Sequence, residues 1–132
     1  MILGALGCDA DRTCEATVNL ATVTGGTATI CAAIADDAPS RVRGLIGSEP
    51  LGPDEGLLLD FPAEDRVCIT NEQVDFAIEA VFIGDGRAVV AIETFVARQP
   101  GLTCHDGTRY VLETAKGAVG EVEIGSNVTI SR

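Results

Sequence analysis

The sequence predicts a mainly β fold of the β-rich α+β class: a compact antiparallel barrel or sandwich with one short helix near residues 38–46. Three observations carry this. Short runs of Val, Ile, Thr and Ala recur between clusters of Gly, Pro and Asp, as strands do between turns. Only one stretch carries helix-start chemistry. The length of 132 residues suits a single domain. A sheet of many short strands must cover its edges, and closing into a barrel or stacking into a sandwich does so.

Residues 1–14 read as an N-terminal leader and 15–132 as the domain. Residues 16–24 are rich in Thr and Val, and Gly25-Gly26 follows, a turn able to take positive φ at little cost. Residues 27–35 resume the β-branched pattern, which predicts a hairpin. Asp36, Asp37, Pro39 and Ser40 offer caps and a first-turn proline ahead of Val42, Leu45 and Ile46 at helical spacing, with Gly47 as the stop. Pro50, Gly52, Pro53 and Gly56 then lead into a strand over 57–61. A polar turn at 62–65 separates it from a short strand over 66–70. Strands over 76–83 and 87–96 flank Gly84-Asp85-Gly86, a loop covers 98–107, and strands follow at 109–114 and 128–130. The short helix is expected to cover one side of the sheet.

Twenty acidic residues against nine basic ones give a net charge of −11, a surface that repels phosphate backbones and anionic lipid. Nucleic acid is therefore not expected as a partner. Trp is absent and only four Phe are present, so the core is aliphatic. No run of 18 or more apolar residues occurs, so no helix of the sequence spans a bilayer.

The start, Met1 to Cys8, is a short run of apolar and small residues ending in Cys, similar to the tail of a bacterial lipoprotein signal. Ala5, Leu6 and Gly7 occupy the three positions before Cys8, the candidate lipidation site and the expected means of membrane attachment. Setting Cys8 aside leaves Cys14, Cys31, Cys68 and Cys104, enough for two disulfides in three connectivities. Their positions favour Cys68 with Cys104. No Cys-x-x-C pair exists, which argues against a zinc knuckle or a thioredoxin-like centre. The alternative is a cytoplasmic protein whose five cysteines are free and serve as small hydrophobes.

Three blocks resemble a known family. The first runs from Arg41-Val-Arg-Gly44-Leu45-Ile46 through Gly56-Leu57-Leu58-Leu59-Asp60-Phe61, the second is Phe76-Ala-Ile78-Glu79 to Val90, and the third is Tyr110 to Gly117. In order and spacing they are similar to domain-of-unknown-function family 192, with its Arg-x-x-Gly-Leu-Met helix, Gly-Met-Leu-Phe strand and Pro-Leu-Asp-x-x-Phe hairpin. The resemblance implies a compact, mostly β, frequently exported domain. The chain departs from it at Ser48 and Glu79, and in Cys68-Ile-Thr-Asn71-Glu, where the family carries an aromatic-Met-Lys-Asn-Thr signature.

By motif position the resemblance marks Arg41, Asn71, Glu79 and Glu113 as candidate ligand-binding residues. An Arg between carboxylates can grip an anionic or polyol ligand, or form a buried pair that fixes helix to sheet. Two glutamates could also act as acid and base on a glycoside, given a separation of about 5 to 10 Å across an open cleft. The single His105 excludes a multi-histidine metal site within one chain, and neighbouring Cys104 and His105 point apart in an extended segment. No cofactor and no metal is called for. The expected function is a non-enzymatic, extracytoplasmic binding or accessory domain whose partner is an unidentified small molecule or protein. The alternative is a small hydrolase using paired carboxylates beside an arginine, and a third option is a purely structural protein with an exposed apolar patch.

Overall fold

A computed structural model describes residues 13–132. The lipidation candidate Cys8 and most of the leader lie outside the described residues. Among the described residues seven strands and one helix follow in the order β1 (Ala16–Ala21), β2 (Thr27–Ala35), α1 (Ala38–Arg43), β3 (Glu55–Ile69), β4 (Ile78–Ile83), β5 (Val89–Phe95), β6 (Thr103–Ala115) and β7 (Val128–Ser131). They form one sheet ordered β5-β4-β6-β3-β2-β1-β7. Every pairing is antiparallel except β2 with β3. That pair is parallel because α1 and the turns after it carry the chain back across the sheet, as a parallel connection requires.

The two edge strands meet. Val89 N–H donates to Ser126 O at 3.0 Å, Val128 N–H to Arg87 O at 2.9 Å and Gly125 N–H to Val89 O at 2.8 Å. An isolated bridge between Ala88 and Asn127 completes the seam, so the sheet closes into a barrel and few strand edges are left open.

Side chains alternate across the barrel wall. Val18, Leu20, Ile30, Leu58, Val81 and Leu112 point inward and make one core with Val119 and Val122, which plug the barrel from the loop after β6. Leu57, Leu59, Ala80, Phe82 and Val111 point outward and make a second core beneath Leu45, Ile69 and Val74. Strands β3, β4 and β6 are thus apolar on both faces, which explains unbroken runs such as Leu57-Leu58-Leu59.

Several elements differ from expectation. The helix ends at Arg43 rather than Ile46, because Gly44 adopts φ 51° and ψ −127°, a conformation open chiefly to glycine. No residue of the helix is buried; it is Leu45, just past its end, that seals the outer core. The expected turn at 62–65 and the second half of the expected loop, residues 103–107, instead join the long pair β3/β6, while 98–102 remain loop; register shifts between Asp60 and Val67 accommodate Pro62. The first hairpin turns over Thr22 to Gly26, with Gly25 alone at positive φ and Gly26 N–H donating to Thr22 Oγ1 at 3.0 Å.

Two disulfides fasten the sheet. Cys14 joins Cys31 on β2, and Cys68 on β3 joins Cys104 directly opposite on β6. Among the described residues no helix is long and apolar enough to cross a membrane.

Candidate functional site

The outer core is open along one side. Asp37 caps α1, its carboxylate accepting from Ser40 N–H at 2.8 Å and from Ser40 Oγ at 2.6 Å. These bonds, the side-chain one foremost, hold the Asp37 carboxyl below its ordinary value of 3.8. Seven residues after Asp37 the break at Gly44 ends the helix and drops Leu45 toward Leu59. Between the helix, the middle of β3 and the segment after it lies a cleft of about 340 Å³. Its walls are mainly apolar, with Val42, Leu45, Leu59, Phe61, Ile69 and Val74 prominent, while Arg41, Arg43, Thr70, Gln73 and Glu113 supply the polar groups.

Glu113 is the unusual member. It projects from β6 on the outward face, between Leu57 of β3 and Ala80 of β4, and only 5% of it is exposed. Water therefore solvates its charge poorly, and burial alone pushes the carboxyl from 4.5 up to about 7. Among the described residues no cation or hydrogen-bond donor offsets that cost. A Cβ added to Gly44 would stand 3.8 Å from Glu113 Oε1, so the end of the helix lies against the carboxyl.

Arg41 shares the cleft without pairing with this acid. Its Nη1 donates to the Asp60 carbonyl at 3.0 Å, and its guanidinium sits 5.1 Å from the centre of the Phe61 ring. The other two positions marked by sequence lie elsewhere. Glu79 occupies the inward-facing parity of β4 and accepts from Gly117 N–H at 3.0 Å, tying the loop after β6 to the barrel. Asn71 is fully buried; its Nδ2 donates to Phe76 O at 3.1 Å and Val96 O at 2.9 Å, clamping the 70–76 segment to the end of β5, and its Oδ1 is left without a partner. The cleft therefore unites Arg41 with Glu113 and leaves Glu79 and Asn71 outside.

Sequence reading missed Arg43, Thr70 and Gln73. Thr70 and Gln73 flank Asn71 in a loop without periodicity, so only their nearness to the altered family signature could have signalled them. Beyond the cleft, His105 Nε2 lies 2.6 Å from Glu93 Oε2, and its ring packs edge-on against Phe82. Asp60 gathers Arg109, at 2.8 Å, and Arg132. Among the described residues no group of three His, Cys, Asp or Glu side chains could hold a metal ion.

The family model of DUF192, described as an uncharacterized ACR, matches residues 20–131. Among solved structures, a Sinorhizobium meliloti protein provisionally described as a transcription regulator shares 24% identity, with 89% of this chain and 95% of that one covered at a TM-score of 0.81. A protein of unknown function from Novosphingobium aromaticivorans shares 18% identity over 96% of this chain and 99% of that one, again at a TM-score of 0.81. At such identities the likeness is one of fold. Among curated proteins none matches this chain in sequence.

Proposed function

Because the chain belongs to the DUF192 family, whose match over residues 20–131 takes in the whole cleft, we propose that it is an extracytoplasmic binding domain for a small, partly apolar molecule. The observation that carries this reading is Glu113, a carboxyl held nearly out of water, without a partner, in the wall of a mainly apolar cleft. Ligand sites commonly combine such walls with a few convergent polar groups. Two disulfides suit an oxidising compartment, which supports a place outside the cytoplasm. A lipid on Cys8 would hold the domain at a membrane surface in that compartment.

The hydrolase reading keeps one point in its favour, since a carboxyl near 7 is poised to act as a general acid at neutral pH. Among the described residues the cleft holds no second carboxyl, since Glu79 belongs to the opposite face of β4. Binding is therefore the better-supported role.

N-phenyl-1-naphthylamine, a neutral apolar fluorophore, tests it. Added to the 15N-labelled protein, it should move the amide resonances of Gly44, Thr70 and Gln73 in a saturable manner. Shifts confined to the exposed apolar side chains Val23, Leu102 and Ile124, or none at all, would refute the cleft as a binding site.

A further inference from the structure

The chemistry of the cleft narrows what it binds. Its charged lining groups are Arg41, Arg43 and Glu113, and the two arginines are not equivalent to the acid. Arg41 is already engaged by the Asp60 carbonyl and the Phe61 ring. Arg43 is exposed on the last turn of α1, where water and salt screen it. Of these three, Glu113 alone is nearly buried and makes no hydrogen bond or ion pair. The elements that face it offer no counter-charge: β3 presents Leu57 and Leu59, β4 presents Ala80, and the chain past α1 presents Gly44 and Leu45. A buried carboxylate without a cation is costly, and a ligand that brings one removes that cost.

We propose that the cleft takes a primary amine bearing a hydrocarbon tail, with its ammonium group against the Glu113 carboxylate and its tail along Leu45, Leu59 and Ile69. The inference rests on the binding reading above and specifies its ligand class. An ammonium is compact and carries three donors, which suits one carboxylate in a confined wall. A divalent metal ion suits it poorly, since such ions require several oxygen ligands and, among the described residues, the cleft holds a single carboxylate. The strong negative charge of the chain favours the approach of a cation over that of an anion.

Binding is then coupled to a proton. An alkylamine is fully charged at pH 6 and pH 8, whereas Glu113 with a value of about 7 passes from about one-tenth to about nine-tenths ionised across that interval. Where the carboxyl was protonated, docking of the ammonium releases its proton to the buffer. Amine affinity should therefore rise about tenfold from pH 6 to pH 8 and level off above.

Calorimetric titration of the full chain with n-hexylamine, hexan-1-ol and hexanoate at the two pH values tests this. The expected result is that hexylamine binds tightest at pH 8 with the tenfold slope, while hexanol binds more weakly without that rise. Glu113→Gln should bind the amine no better than the alcohol at either pH, and His105→Gln, which removes the one imidazole of the chain, should keep the slope. If the acid variant folds poorly, the 13C resonance of the Glu113 carboxyl in the unmodified protein serves instead: hexylamine should lower its apparent pKa and hexanol should not. Hexylamine binding no tighter than hexanol and without a slope, or a slope that vanishes in His105→Gln, would overturn the amine proposal and leave the binding role standing. Hexanoate binding tightest and weakening above pH 7 would overturn it in favour of Glu113 as a hydrogen-bond donor. If none of the three binds and the fluorophore map is also blank, the binding role falls with it.

Discussion

Glu113 is where a single side chain is most at odds with its surroundings. Its folded-state carboxyl sits at about 7 against an ordinary 4.5. Below 4.5 it is protonated whether the chain is folded or not, so it costs nothing. Between 4.5 and 7 the unfolded chain gives up this proton and the folded chain keeps it, so stability falls as pH rises, and above 7 the loss is complete. The shift corresponds to about 3 kcal/mol. Urea unfolding from pH 4.5 to pH 8 should show the unmodified protein losing roughly this much relative to Glu113→Gln, with the two curves parallel above about pH 7.5. Parallel curves throughout would mean that the carboxyl is solvated. Arg41 and Asn71 show the opposite case, polar groups whose bonds to backbone carbonyls hold neighbouring segments in place.

At the level of elements, the decisive contact is β3 against β2 and β6. Gly56 stands at this junction, and a Cβ there would come within 2.8 Å of Ile30 Cγ2 and 2.9 Å of the Glu113 carbonyl. The carbonyl belongs to a ladder between two strands and has nowhere to go. Gly56→Ala should therefore cost about 1 to 3 kcal/mol by overpacking, whereas Gly86→Ala, with nothing within 4 Å and no positive φ, should be close to neutral. Denaturant midpoints of the two variants make the comparison, and equal midpoints would mean that the strands are not packed this closely. The runs over Leu57 to Phe61 and Ile78 to Ile83 were legible as strands because the first is a short apolar run bounded by turn residues and the second is dense in Ile, Val and Phe. The arm of β3 and β6 over 62–65 and 103–108 was not: Pro62, Asp65, Asp106 and Gly107 carry turn chemistry, and only the partner strand supplies a reason to extend.

The whole molecule is a closed barrel cross-linked at two places, and its seam joins residues 87–89 to 125–128. The cystines close loops with sequence separations of 17 and 36 residues. By loop-closure entropy each stabilises the fold by about 3 to 4 kcal/mol. Reduction under native conditions should lower the melting temperature by about 10 °C or more, and a melting curve indifferent to reductant would show that the bridges are not formed. The sequence by itself determined the β-rich class, the single helix start at Asp37, the hairpins around Gly25 and Gly84, and the family, because these depend on local propensity and on motif order. Only the tertiary structure decided that the sheet closes and that Val119 and Val122 fill it. It also decided that Glu113 stands with Arg41 in one cleft while Glu79 faces the other way. The physical reason is the two-residue period of strands: both faces of β3, β4 and β6 are buried, so the pattern along the chain does not say which face a side chain takes, and the neighbouring strand decides.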